Sequence, residues 1–508
     1  MDRSVIWRDR TSGSASAPSA ASSVIRREGS GRLWRRPAAW LIVVAVVHAV
    51  APLLLMGPRW WFGVDETVYL SQINSFVPAG GFSAPRARGM TLIAAPVTLL
   101  TPSVTAVRVW MAVLSGIALF AAFRPWLRLQ DGFVTPIAAL LFSSIWSVIY
   151  YSFEIMPNEW VAVTALASCG YLLLFLKEGR ARHVIAASVA LGLVALLRPP
   201  DAAYIGLALG IGALCVDTSV RRRLVAAGGL LVGAAAGAAQ WVIEAFMRFG
   251  GLSARMHAAQ AQDGSGGRFY FSAPAHTEVL GGRILCAAPC REDASILYQL
   301  WWIALGALVL AGVVGGGRRR RLAIEMVPVA AGLTIAAEYL FTVRLAAPRF
   351  LIPSYALLSV PAASGALYLL HLAGRKGWRV VAGCLLGALL VAHAVIQVHV
   401  IKSRVIPDFT AGNNRVLAEA RTLKELGVHP PCHLLGQPGW NQNLAYALRC
   451  SNTPLDVASV RRMMAEGTQI IWLSWKRPPT RYGTKWTRVT LPGLTESSPQ
   501  VAYLSFEP

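Results

Sequence analysis

The sequence predicts a polytopic α-helical membrane protein with a small C-terminal extracytoplasmic α/β domain, and three observations lead there. The chain has 508 residues, 55% of them hydrophobic and only 14% charged, with a mean hydropathy of +0.50, far from the usual soluble mix. Eleven apolar stretches recur along it, each long or nearly long enough to cross a bilayer. The gaps between them alternate between basic clusters and segments carrying other chemistry, which is the pattern of the positive-inside bias.

The first predicted span covers 37–57. The Ser/Ala-rich tail before it, residues 1–37, holds Arg26, Arg27, Arg32, Arg35 and Arg36 and reads as disordered and cytoplasmic. A cleaved signal peptide is the competing reading, but Pro52, Pro58, Arg59 and Trp60 make a poor small-residue cleavage site, so the span is expected to remain as an anchor. The later spans are expected near 104–123, 133–152, 160–176, 184–197, 201–216, 224–247, 298–316, 322–342, 350–372 and 380–400. With the amino terminus inside, the cytoplasmic gaps hold Arg124 and Arg128; Lys177, Arg180 and Arg182; Arg221 to Arg223; Arg318 to Arg321; and Arg375, Lys376 and Arg379. Each is basic, and an odd number of spans puts the carboxyl terminus outside. The formal charge of +23 therefore reports membrane topology. No recognised module accompanies it, so nucleic acid is excluded as a partner and membrane lipid is expected.

The core is expected at 38–400 and the outer domain at 401–508. Three external regions are large enough for function. The first, 59–103, contains an apolar run at 90–100 that is too short to span and reads as an interfacial helix. The second is 248–297. The tail after Ile401 mixes helical patterns at 412–427 and 457–467 with β-type runs at 469–475 and 501–506. Cys286 and Cys290 share the second region and Cys432 and Cys450 share the tail, so both pairs lie in an oxidising compartment where disulfides form. Cys169, Cys215 and Cys384 fall in spans and read as packing residues. No zinc-type spacing of Cys and His occurs.

Chemistry is expected at the outer face. Asp65-Glu66-Thr-Val-Tyr69 follows the first span directly, behind Trp60 and Trp61. A carboxylate there is placed to accept a proton from an attacking hydroxyl, although a solvated acid pair is the plainer alternative. Glu154, Asn158 and Glu159 lie at the outer end of the third span. Arg86, Arg88, Arg198, Arg344 and Arg349 lie outside against the topological trend, which suits a phosphate bound by guanidinium forks. Arg268 to Phe271, His257 and His276 offer an acceptor-binding surface, or equally a structural cap.

These segments resemble the GT-C membrane glycosyltransferases, most closely the bacterial relatives of protein O-mannosyltransferases and lipid A aminoarabinose transferases. The resemblance rests on Asp65 to Tyr69, Arg86-Ala-Arg88-Gly-Met, Glu154 to Glu159, Leu197-Arg-Pro-Pro-Asp201 and Pro348 to Pro353. It implies a sugar transferred from a polyprenyl-phosphate donor to an acceptor hydroxyl on the extracytoplasmic side, with inversion and with mannose the first choice of sugar. Asp65 is then the base, with Glu66 orienting it or the substrate; Glu154 is the next catalytic carboxylate. Arg88 and Arg349 then bind the donor phosphate; the further external arginines Arg198 and Arg86 are expected to join them, and Tyr69, Glu159, Tyr270 and His276 are expected to meet the acceptor, be it a protein, a glycolipid or a secreted natural product. No cofactor is required. A divalent cation is left open without support, because the chain has no Asp-x-Asp. The alternative class is a polytopic lipid or solute transporter, for which no internal repeat is visible.

Overall fold

The structure, a computed structural model, describes residues 36–262, 268–287, 296–319, 321–374, 376–436, 440–474, 482, 485–492 and 500–507. Helix α1 (Pro37–Leu55) starts on a proline, whose fixed φ and missing N–H suit a first helical turn. The chain then enters α2 (Val64–Ser71), where the Glu66 carboxylate accepts the Gly63 N–H at 2.6 Å and closes the helix start. The apolar run at 90–100 is helical, as α3 (Gly89–Thr98). A Cβ on Gly89 would meet the Leu196 carbonyl at 2.8 Å, so only glycine lets this turn settle on the neighbouring helix end.

Helix α4 (Val104–Phe123) and the short α5 (Trp126–Leu129) follow. The span expected at 133–152 is broken into α6 (Val134–Ser143) and α7 (Trp146–Tyr151). Then come α8 (Pro157–Glu178), α9 (Ala181–Leu197), α10 (Pro199–Cys215) and α11 (Val220–Arg248). The second external region holds α12 (Leu252–Gln262), α13 (Ala273–Val279) and the two-residue β1 (Cys286–Ala287). Cys290 lies outside the described residues, and the predicted pairing with Cys286 lies there with it. Helices α14 (Ile296–Arg318) and α15 (Leu322–Phe341) precede β2 (Leu345–Ala346), which pairs antiparallel with β1. Helices α16 (Ile352–Leu372) and α17 (Lys376–Val400) complete the bundle.

Every expected span thus coincides with a helix or with the broken α6–α7 pair. Eight helices among the described residues are long and apolar enough to cross a membrane, and the protein is a multi-pass membrane protein. Helices α8 and α16 run through its centre, 83% and 89% buried over their spans, against 28% for α1. Lipid tails are as apolar as leucine, so close contact rather than hydrophobicity joins such helices. Gly233 and Gly237 of α11 accordingly lie directly against the backbone of Ser188 and Gly192 on α9. Of the cysteines read as packing residues, Cys169 is buried, whereas Cys215 and Cys384 are on exposed helix surface.

No break falls where the sequence divides core from tail. Helix α17 passes through a π-turn, Ile401–Val405, straight into α18 (Ile406–Glu425). The wide turn stands just before Pro407, whose ring and missing N–H interrupt an ordinary ladder. Beyond it lie β3 (Cys432–Gly436), α19 (Trp440–Leu448), α20 (Val457–Ala465), β4 (Gln469–Ser474), β5 (Thr487–Leu491) and β6 (Gln500–Leu504). The strands form one sheet in the order β3-β4-β6-β5, parallel at its first pair and antiparallel elsewhere. The Cys432–Cys450 disulfide ties β3 to the residues after α19. That helix docks on the core: Asn443 accepts from the Trp61 indole at 3.0 Å and donates to the Phe62 carbonyl at 3.0 Å, while Asn74 donates to the Tyr446 hydroxyl at 2.8 Å. The tail domain therefore braces both ends of α2.

Candidate active site

Asp65 and Glu66 are neighbours on a helix, so their side chains leave it about 100° apart and meet different surroundings. Glu66 points inward and is 1% exposed. Both its oxygens receive Arg108, at 2.6 and 2.9 Å, and it accepts the Ile155 N–H at 2.8 Å. Arg108, fully buried on α4, also donates to the carbonyls of Trp60, Trp61 and Phe153. This hub joins the chain before α2, the α2 helix itself and the loop before α8. Arg108 escaped the sequence reading, although a lone arginine in the first turns of an apolar span is the available signal.

Asp65 points outward, its side chain 36% exposed. Arg86 meets one oxygen at 2.5 Å and Arg349 the other at 3.4 Å. Arg349 also donates to the Tyr151 hydroxyl at 3.5 Å. Each arginine has a local reason for its place. Arg198 separates α9 from α10: Pro199 and Pro200 start a new helix and force extended backbone on the residue before them. Its guanidinium pairs with buried Asp201 at 3.2 Å and lies over the rings of Tyr339 and Phe350. Arg349 lies in the tight turn Pro348–Leu351 that opens α16. Arg86 is carried by a loop whose carbonyls, those of Ala84 and Arg86, accept from buried Arg255 at 3.0 and 2.9 Å. Arg255 is itself paired with Glu244 at 3.2 Å.

The charges act together. Burial opposes ionisation of Asp65, but Arg349, Arg86 and the more distant Arg198 outweigh it and hold the carboxyl below its ordinary value. Tyr69 faces the same charges, with the Arg86 guanidinium 5.9 Å from its ring centre, and burial pushes its hydroxyl pKa up. Glu154 behaves oppositely to Asp65. Burial first, and then the charge of Glu66, push its pKa well up and favour the neutral carboxyl, with Arg108 opposing from 3.5 Å.

The structure thus brings Asp65, Tyr69, Arg86, Arg198 and Arg349 together and sends other predicted residues elsewhere. Arg88, expected beside Arg349, donates instead to Glu244 at 2.6 Å and Gln72 at 2.8 Å, and lies 3.9 Å over the Phe82 ring. Two positions along a loop point the same way only while the backbone stays extended, and Arg88 has already turned into the helical region where α3 begins. Glu159, expected at the acceptor, is buried between α1, α4 and α8, where it receives Ser115 at 2.5 Å and meets His48 at 2.9 Å. His276 is also fully buried, in the small core of α13, β1 and β2, with Phe350 beside it, and burial depresses it to about 4. Neither presents itself to an acceptor. Tyr270 remains half-buried on a segment whose N–H groups run along the end of α15, donating to the Phe341 carbonyl at 2.9 Å. Among the described residues no three His, Cys, Asp or Glu side chains converge as a metal site.

An apolar cavity of 440 Å³ opens beside this cluster, lined by Ile137, Leu141, Trp146, Trp301, Leu390 and Pro348 among others. Pro348 is the neighbour of Arg349. Trp146 opens the same α7 helix that ends at Tyr151, so the charged cluster and the apolar cavity share two structural elements.

The sequence matches no protein-family profile and no curated protein. Solved structures do resemble the fold. ArnT from Cupriavidus metallidurans bound to undecaprenyl phosphate is similar with a TM-score of 0.57 and 12% identity, over 92% of this chain and 98% of that one. Its apo state gives a TM-score of 0.56 over the same shares, at 12% identity. The oligosaccharyltransferase AglB from Archaeoglobus fulgidus, in complex with an inhibitory peptide and a dolichol-phosphate, gives 0.52 and 13% identity, over 85% of this chain and 69% of that one. The chain thus has the GT-C fold, and its structural neighbours are GT-C membrane glycosyltransferases.

Proposed function

We propose that the protein is a membrane glycosyltransferase that moves a sugar, mannose first among the choices, from a polyprenyl-phosphate donor to an acceptor hydroxyl on the extracytoplasmic side. The observation that carries this reading is the convergence of Arg86 and Arg349 on Asp65, with Arg198 close enough for its charge to act on the same carboxylate. Guanidinium forks suit a phosphate, and the apolar cavity behind Pro348 suits a prenyl chain leading away from it. That solved neighbours of the same fold carry undecaprenyl phosphate and dolichol-phosphate supports the same donor class.

The reaction needs one base and a charge sink. The acceptor O–H gives its proton to the Asp65 carboxylate as its oxygen bonds to the anomeric carbon. The bond from that carbon to the phosphate oxygen breaks, its electrons go to the phosphate, and the arginines stabilise the charge that develops. Attack from the face opposite the phosphate inverts the anomeric centre. Arg88 and Glu66 act indirectly in this scheme, as residues that hold the loop and α2 in place.

The test uses the full chain reconstituted in liposomes with radiolabelled polyprenyl-phosphate mannose and candidate acceptors. Asp65→Asn keeps the shape and removes the proton acceptor, so turnover should fall roughly a hundredfold or more while donor binding persists. Transfer at the parent rate would reassign the base. Donor movement across the bilayer without any glycosidic product would replace the enzyme with a transporter.

A further inference from the structure

The opposite face of the bundle carries a second charged concavity that the transfer chemistry leaves unused. Arg108 engages Glu66 near the start of α4, and Arg124 stands about 24 Å further along the same helix axis. There a cavity of 340 Å³ is lined by Arg124, Arg128 and Arg182 around Tyr171, Leu174 and His183. We propose that it binds the phosphate of an anionic glycerophospholipid from the leaflet away from Asp65.

Its charge is only partly compensated. Arg128 is paired with Glu178 at 2.6 Å, but among the described residues neither Arg124 nor Arg182 has a carboxylate partner. The centre is built rather than merely exposed. His183 is 3% exposed, and its Nε2 is approached by Arg128 Nη1 at 3.4 Å and Arg182 Nε at 3.3 Å. Guanidinium groups only donate, so Nε2 accepts and Nδ1 carries the proton, facing Glu178 at 3.8 Å. This arrangement fixes the two guanidiniums around one point. The Tyr171 ring stacks on the imidazole and, with Leu174, makes an uncharged floor. A cytoplasmic arginine that serves topology alone needs no such concavity.

Helix periodicity favours a lipid over a free phosphate. From Arg182 the same face of α9 continues through Ile185 and Val189, and from Arg124 the same face of α4 continues back through Ile117 and Val113. All four are exposed apolar side chains. A headgroup held by the arginines would lay its acyl chains along these two stripes. Basic pockets at the ends of spanning helices bind anionic headgroups in this manner.

Native mass spectrometry of the detergent-purified full chain tests the site, with dioleoyl phosphatidylglycerol, dioleoyl phosphatidylcholine and inorganic phosphate as probes. Phosphatidylglycerol should bind in preference to phosphatidylcholine, and millimolar inorganic phosphate should not displace it. Arg124→Gln and Arg182→Gln should each weaken phosphatidylglycerol binding roughly fivefold, and the Lys variants should retain most of it. Equal binding of the two lipids, or unaltered phosphatidylglycerol binding in a folded double Gln variant, would overturn the proposal. Displacement by inorganic phosphate would reassign the site to a soluble ligand. Should the double variant not fold, the lipid preference of the parent protein and its resistance to phosphate decide the matter. None of these readouts depends on sugar transfer, so the site and the proposed activity stand or fall separately.

Discussion

At the residue scale, the adjacent carboxylates meet different arginines: Arg108 holds Glu66 inside the bundle, whereas Arg86 and Arg349 meet Asp65 at its outer side. Asp65 is held ionised by arginines, which makes it a poor base while they remain on it, since a base works best when its pKa lies near the working pH. A donor phosphate would draw Arg86 and Arg349 to itself and release the carboxylate to a higher pKa. The sign of the consequence is definite. Activity is lost as pH falls through the pKa of Asp65, so the acid limb of kcat/KM, which reports the free protein, should lie below the ordinary carboxylate range. The acid limb of kcat, which reports the donor complex, should lie at higher pH. Coincident limbs in a steady-state pH series would mean that the phosphate does not compete for these arginines. Arg86→Gln should shift the kcat/KM limb upward, towards that of kcat.

At the element scale, α2 is held from within by Arg108 and from outside by α19. Glu66 and Arg108 are both buried, 1% and 0% exposed, so removing one partner leaves an uncompensated charge out of water. Arg108→Ala should therefore cost on the order of 3–5 kcal/mol, read as a large fall in the thermal unfolding midpoint in detergent. A midpoint equal to that of the parent would show that the hub is dispensable. The outer brace is neutral and milder: Asn443→Ala removes hydrogen bonds worth about 1 kcal/mol each, and kcat should fall more than donor affinity as α2 loosens. A sequence reading that treats Asp-Glu as one acidic motif sees neither brace, because both depend on residues far along the chain.

At the scale of the whole molecule, two expectations concern how core and tail are joined. The Cys432–Cys450 link closes a loop within the domain that supports α2, and such a loop contributes on the order of 3 kcal/mol in the chain-entropy description. Cys432→Ser should lower the stability of the tail and, through α19, the turnover of the core, whereas Cys169→Ser should leave turnover unchanged. Orientation is checked independently: a reporter active only in the cytoplasm and fused after Pro508 should stay silent, as the odd number of expected spans requires. Strong signal from that fusion would reverse the assignment of every external residue.

By itself the sequence determined the succession of apolar helices, the basic gaps, the short helix at 90–100, the mixed character of the tail and the Cys432–Cys450 pair. It could do so because a bilayer imposes length and polarity on each segment separately, and local pattern carries that information. The GT-C architecture was reached in another way, by the resemblance of the short motifs from Asp65 to Pro353. Only the tertiary structure decided that Asp65 faces Arg86 and Arg349 while Glu66 faces Arg108, that Arg88 turns to Glu244, and that Glu159 and His276 are buried. Those choices depend on which helices pack together and how the loops between them bend. Arg108 and Glu66 are 42 positions apart and Arg349 and Asp65 are 284 apart, and no periodicity along the chain encodes such a meeting.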